Sequence, residues 1–311
     1  MQRRRGRPYV YSPTVILRCF IVRLWSRINS NNALHTFLFM GCQYNRKLAV
    51  ACGLVSIPNR RTFDRRLKTI STDIKQRIST MGCLFVSEGM VNPAITAIDS
   101  TLLKAKGSVW HKSSMEKGIV PRSGIDTDAR WGYSHTKGWI FGYKLHLTCT
   151  TGEIVVPLTA YVTTANIQDN QMYVTLTSSS SVFSLPSVLY MIADPGYDDK
   201  KLYEYSKKVL GIDLVCPVER YKSTSKKRLE LVCFYQSVLG QAIYSQRRIS
   251  IEPLIEHIKS VFKIDPSPVR RFNAISAIVL LSVLLYQLMV YYNCKTKNIN
   301  PKSIKYMLDT W

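Results

Sequence analysis

Between Ala274 and Tyr292 the chain reads AISAIVLLSVLLYQLMVYY, 19 residues without a charge. A helix this apolar has to be surrounded on all sides, by lipid or by protein. Ser276, Ser282 and Gln287 inside the run weigh against lipid. So do the basic residues at both ends (Arg270 and Arg271; Lys295 and Lys297), which give no orientation bias, and the lack of a second span. The run predicts a helix at the centre of a large protein core, with no membrane partner. A length of 311 residues leaves room for that core and a second domain.

Such a core fits the apolar fraction of 46%, which excludes a disordered tail protein. The charge is less ordinary. Lys and Arg number 43 against 20 Asp and Glu, a net charge of +23. That field attracts polyanions, nucleic acid first and an anionic membrane surface second. The eight cysteines form no CxxC pair, so neither a zinc ribbon nor a disulfide framework is indicated. His111, His135, His146 and His257 lack zinc-ligand spacing and read as ordinary polar or loop histidines. MQRRRGRPY at the N-terminus leads into no signal-type apolar core, and a reduced cytoplasmic setting is expected.

In so basic a chain, clustered acids need a reason. VLYMIADPGYDD, residues 188–199, starts as a short buried strand and turns at Asp194, Pro195 and Gly196. Asp198 and Asp199 read as turn and cap residues for a helix over 200–210. A second apolar run, Ala94 to Ile98, reads as a strand that ends in Asp99. Two acids at strand ends suggest an acidic patch at a sheet edge. Phosphodiester chemistry uses such a patch to hold two Mg²⁺ ions, one activating the attacking oxygen and one stabilising the leaving oxygen. Three carboxylates are the usual minimum for that task. The third candidate is Glu252, on a helix over Ile251 to Phe262. Lys259 lies two turns further on the same face, and Arg248 four residues before. Pro253 puts Glu252 in the first turn, so Arg248 would approach from the preceding loop. Taken alone, this helix also suits a surface salt-bridge ladder.

Other segments point to DNA. Arg5-Gly6-Arg7-Pro8 suits an arm in a minor groove, or a plain basic lead-in. Thr14 to Ile28 has helical periodicity, with Arg18, Arg23 and Arg27 largely off its apolar face. Residues 46–71 read as helix, Gly turn, helix. Asn59 is an N-cap candidate, Phe63, Leu67 and Ile70 form an inner face, and Arg60, Arg61, Arg65, Arg66 and Lys68 an outer one. That is how a helix-turn-helix presents a basic face to DNA. Residues 104–138 read as an extended, basic, partly ordered loop, where Trp110 and Trp131 could stack on splayed bases or anchor the loop. Strands are expected at 143–148, 154–163 and 212–218, the first two joined by a Thr151-Gly152 turn, and a helix at 166–176.

Asp99-Ser100-Thr101, Ala193-Asp194-Pro195-Gly196-Tyr197-Asp198 and Tyr244…Arg248-x₃-Glu252-x₆-Lys259 together resemble the signature of insertion-sequence DDE transposases. The group resembled is the one whose third motif is Tyr-Arg-Glu-Lys. The similarity covers most of the chain, including the Gly-Arg-Pro lead-in, the Arg-Arg-Thr-Phe-Asp-Arg-Arg segment and the Trp-Gly…Lys-Gly-Trp loop. It implies an α/β fold: a ribonuclease-H-like mixed sheet flanked by helices, preceded by an all-helical DNA-binding region. The expected organisation is residues 1–90 for that region, 91–295 for the catalytic domain and 296–311 for a tail. Asp99, Asp194 and Glu252 are implied as catalytic ligands of two Mg²⁺ or Mn²⁺ ions, and Tyr244, Arg248 and Lys259 as supports for DNA. In that group two residues separate the Tyr from the Arg, an interval met by Arg247. Arg248 meets the three-residue interval to Glu252, which favours it. The resemblance implies binding of terminal inverted repeats, strand cleavage and 3′-OH transfer to target DNA, by a homodimer on the nucleoid of a bacterial or archaeal cell. A non-catalytic DNA-binding protein derived from a transposase is the alternative.

Overall fold

The computed structural model describes residues 10–44, 46–121, 124–134, 136–218, 225–296 and 300–310. The Arg5–Pro8 lead-in and His135 lie outside them. The chain forms two compact units, Met1–Ile70 and Ser71–Trp311.

The first unit is helical: α1 (Pro13–Trp25), α2 (Asn31–Tyr44), α3 (Arg46–Cys52) and α4 (Arg60–Leu67). Ser12 starts α1 by accepting from the Val15 N–H. Ile16, Leu17, Phe20 and Leu24 face inward, and Phe20 meets Phe63 edge-on at 5.9 Å. Arg23, expected on the solvated side, is instead 1% exposed. It is tolerated because its donors are satisfied, by the carbonyls of Ile28 and Asn29 and by Asn31 Oδ1. Burial lowers its pKa to about 10. In the 46–71 segment, Gly53 at φ +72° breaks the chain after α3. Asn59 then caps α4 through the Arg61 N–H. Phe63, Leu67 and Ile70 are buried, while Arg60, Arg61 and Arg65 are exposed and Arg66 is half-buried.

The second unit begins with α5 (Ser71–Ser87), then β1 (Ile95–Lys104), α6 (Lys112–Glu116), β2 (Arg130–Ser134), β3 (Gly138–Thr150) and β4 (Pro157–Thr164). After α7 (Tyr173–Ser178) come β5 (Tyr190–Ile192), α8 (Lys200–Tyr205) and β6 (Asp213–Val215). The helices α9 (Lys226–Gln236), α10 (Val238–Ile249), α11 (Ile251–Phe262), α12 (Phe272–Thr296) and α13 (Ile304–Thr310) complete it. Helices α5 and α13, which lie outside residues 91–295, belong to this unit. Helix α5 buries Ile74, Ile78 and Phe85 and packs on α12 and β4; α13 buries Ile304, Met307 and Leu308.

The sheet runs β2-β3-β1-β5-β6, with β4 also on β3. The pairs β1–β3, β2–β3 and β3–β4 are antiparallel, while β1–β5 and β5–β6 are parallel. This mixed sheet, an antiparallel meander extended by two parallel strands and flanked by helices, is ribonuclease-H-like. Gly142, where β3 crosses from β2 to β1, has no room for a side chain: a Cβ there would lie 1.9 Å from the Leu103 carbonyl oxygen.

The apolar run is the interior helix α12, packed against α5, β4, α11 and α13. Of its most apolar window, 89% is buried within the protein. Gln287 is accepted there because its Nε2 donates to the carbonyls of Ile78 and Pro157. The described part of residues 104–138 holds α6 and β2, and its tryptophans anchor: Trp131 donates to the Trp110 carbonyl, and Trp110 to that of Ile119. One local expectation is corrected. The β3–β4 connection is longer than Thr151-Gly152, because pairing shifts register at Thr148/Cys149 and joins Cys149 to Pro157.

Candidate active site

Asp99 was expected just past the end of its strand. It lies instead in the middle of β1, which continues to Lys104 in its pairing with β3. On its other side, β1 pairs with β5 over Ile95–Ala97 only. Asp99 therefore sits just beyond the point where its parallel neighbour stops. Asp194 follows the same stop: β5 ends at Ile192, and Asp194 Oδ1 accepts from the Gly196 N–H at 3.0 Å. Both acids line one cavity of about 430 Å³. A parallel strand pair that ends early is thus what brings the two sequence-distant acids together.

Asp99 Oδ1 accepts from the Ser100 N–H at 2.8 Å, and Oδ2 from Arg247 Nη2 at 2.7 Å. The other guanidinium nitrogen of Arg247 reaches Glu252 Oε1. Burial pushes the Asp99 carboxyl up to about 7 against the attraction of Arg247, and the Asp194 charge adds to the rise. Burial also raises Asp194, followed by the charge of Asp169. Charge held out of water this way needs a compensating cation.

Glu252 is in the first turn of α11, as Pro253 indicates. The arginine that reaches the acids is Arg247, which keeps the two-residue interval from Tyr244. Arg248 is exposed and makes neither contact, contrary to the spacing argument. Consecutive helical residues point about 100° apart, so only one of the pair can face the acids. Ser250 separates α10 from α11 with non-helical dihedrals (φ −118°, ψ −85°), so counting helical turns across it from Arg248 to Glu252 fails. Lys259 lies against β1 and is buried, its Nζ 3.3 Å from Thr101 Oγ1 and 3.5 Å from Asp265. Tyr244 is half-buried, edge-on to Tyr235 at 5.3 Å. Arg60, Arg61, Arg65 and Arg66 belong to the other unit.

The donor chemistry fits divalent Mg²⁺ or Mn²⁺: hard carboxylate oxygens, with Asp99 and Asp194 half-buried. Among the described residues no three Asp, Glu, His or Cys side chains form a ready cage. The Arg247 guanidinium spans Asp99 and Glu252 and provides positive charge there.

Other charged residues at this cavity escaped the motifs. Asp169 and Lys144 line it, paired at 2.9 Å, as does Glu256, and the buried His146 stands beside the pair on β3. Lys144, His146 and Thr148 alternate along a buried strand, a polar period-two pattern that could have marked them. Asp198, expected as a turn residue, forms a buried bidentate ion pair with Arg228 of α9 and also accepts from the Tyr203 hydroxyl at 3.3 Å. The pair ties α9 to the turn that carries Asp194. Asp199 does cap α8, through the Lys201 N–H.

An early-ending parallel strand pair, acids from two strands and a helix, and a basic chain around them define a site suited to cations and phosphodiesters. The chain belongs to the Transposase DDE domain family, which matches residues 92–288, more than half of its length. Among solved structures it is similar to a Mos1 transposase paired-end complex with left transposon end, at 10% identity and a TM-score of 0.24, over 96% of this chain and 83% of that one. A pre-cleavage Mos1 transpososome gives 12% identity and a TM-score of 0.20, over 96% and 82%. No curated protein matches the chain.

Proposed function

We propose that this transposase binds the terminal inverted repeats of its own element and cuts and joins DNA there with divalent metal. The observation that carries the reading is the convergence of Asp99 and Asp194 on one cavity, with Glu252 linked to Asp99 through Arg247. Asp99 and Asp194 would hold the ions, and Glu252 would join them once Arg247 gives way. The metal, when bound, supplies an activated oxygen nucleophile and stabilises the leaving oxygen. The chain's own part is to set the acids in and beside a half-open cleft, with Arg247 and Lys144 lining it. Arg247, freed from the acids, suits a DNA phosphate; Tyr244 and Arg248 lie on the same helix α10, and Lys259 on α11. The exposed arginines of α4 (Arg60, Arg61 and Arg65) would hold the repeat duplex through its phosphates. Two ends have to be processed together, so the working form is a homodimer.

The test is nicking of DNA that carries the inverted repeats flanking the gene, in Mg²⁺ or Mn²⁺. Asp99→Ala, Asp194→Ala and Glu252→Ala should each abolish it while leaving repeat binding in Ca²⁺ intact. Cleavage that survives any of the three would sink the assignment. Specific binding with no cleavage by the unaltered protein in either metal would favour the non-catalytic alternative.

A further inference from the structure

Asp169 begins a 3₁₀ turn after β4, at Asp169–Met172. Its Oδ1 accepts from Ser100 Oγ at 2.7 Å and from Lys144 Nζ at 2.9 Å. Ser100 is the link to the centre, because its own N–H donates to Asp99 Oδ1. Asp169 lines the cavity shared by Asp99 and Asp194, and its charge bears on both of them.

A separate observation comes from β3, two residues beyond Lys144. His146 is fully buried, and its Nδ1 has no hydrogen-bond partner. That nitrogen lies 3.8 Å from Asp169 Oδ1. Its Nε2 lies 2.8 Å from the Thr163 hydroxyl oxygen. Among the described residues the cation that meets Asp169 directly is Lys144, whose Nζ is shared with the Ile167 carbonyl. A carboxylate with one shared ammonium, lining the same cavity as Asp99 and Asp194, leaves a negative potential that a divalent cation relieves.

We propose that Asp169 is a positioning residue of the divalent-ion centre, orienting Asp99 through Ser100 and raising cation affinity by its charge, with Lys144 as the counterweight. This rests on Asp99 and Asp194 being the ligands. Asp169 need not touch the ion. Partners of this kind orient ligands and tune affinity, and their loss typically weakens metal binding about 10–100-fold.

The experiment is Mn²⁺ titration of the full-length protein without DNA, read by electron paramagnetic resonance of free Mn²⁺, so cleavage plays no part. Asp169→Asn keeps an acceptor for Ser100 and Lys144 but removes the charge. Its Mn²⁺ dissociation constant should rise about 10–100-fold, with the melting temperature in EDTA little changed. Lys144→Met removes the opposing cation, so its Mn²⁺ binding should tighten. A merely structural cluster would move both variants in the same direction or neither. Unchanged affinity in Asp169→Asn, or weaker binding in Lys144→Met, overturns the proposal. If Asp169→Asn does not fold, Ser100→Ala takes its place, with a smaller loss expected and an unchanged constant counting against the proposal. Failure of the underlying reading looks different: the unaltered protein would then bind no Mn²⁺ that Asp99→Ala abolishes.

Discussion

Replacing Asp99 by Asn should stabilise the metal-free protein while destroying its use of metal. The Asp99 carboxyl rises from 3.8 to about 7. At about 1.36 kcal/mol per pH unit, that is a cost of ~4 kcal/mol for keeping the charge in the fold at alkaline pH. Relaxation and water access reduce the recoverable part to ~1–3 kcal/mol. The pKa is higher folded than unfolded. Its stabilising contribution is therefore complete below about pH 4 and is lost as pH rises through about 7. Asn has no such dependence. The assay is thermal melting in EDTA at pH 5 and pH 8. At pH 8 the variant should melt about 5 °C above the unaltered protein, at ~2–4 °C per kcal/mol for a unit of this size. At pH 5 the gap should shrink. Millimolar Mn²⁺ should then reverse the order, since a ligand stabilises only the form that binds it. A variant that melts at or below the unaltered protein at pH 8, or a gap that ignores pH, would refute the electrostatic account of this site.

Other outcomes follow from the same geometry. Arg228→Met leaves Asp198 buried without its partner and should cost ~3–5 kcal/mol in urea unfolding; adding Asp198→Asn should recover much of it. Burial lowers the His146 pKa to about 4, so its ring signals in an NMR titration should stay those of neutral imidazole from pH 8 down to about 5. Because that pKa is depressed, the stability it confers is lost as pH falls from about 6.5 through 4. Alanine at Arg60, Arg61 or Arg65 should weaken repeat-DNA binding and reduce the salt slope by about 1 each, leaving base preference little changed. Phe63→Ala should destabilise the helical unit by ~3–5 kcal/mol, read by thermal unfolding of the full chain.

Much of this molecule was legible as linear pattern. The uncharged run could only be an interior helix or a membrane span, and its two serines and glutamine favoured the interior. Asn59, Gly53 and the Phe63–Leu67–Ile70 spacing announced a capped helix after a Gly turn, because caps and periodicity are local and written within a few residues. Asp99 and Asp194 stood out as acids at apolar runs in a basic chain. Other features depended on contacts across long sequence distances. The Tyr244 interval pointed to Arg247 and the Glu252 interval to Arg248; that Arg247 is the one facing the acids follows from the helix break at Ser250. Asp169 looked like one polar residue in a helix, and only the register pairing Ser100 with His146 and Leu102 with Lys144 surrounds it with partners. Asp198 meets Arg228 because α9 folds back over the turn, and Arg23 is buried because three acceptors happen to surround it.

By itself, then, the sequence determined the elements, the interior helix and the acids around which a cation site could form. The tertiary structure decided which charge faces which. That division is physical: secondary structure answers to neighbours within a turn or a strand, while the energy of a buried charge depends on every group brought around it. Arg247 between Asp99 and Glu252 is the plainest case, a contact of one residue's two nitrogens with acids 148 and 5 positions away.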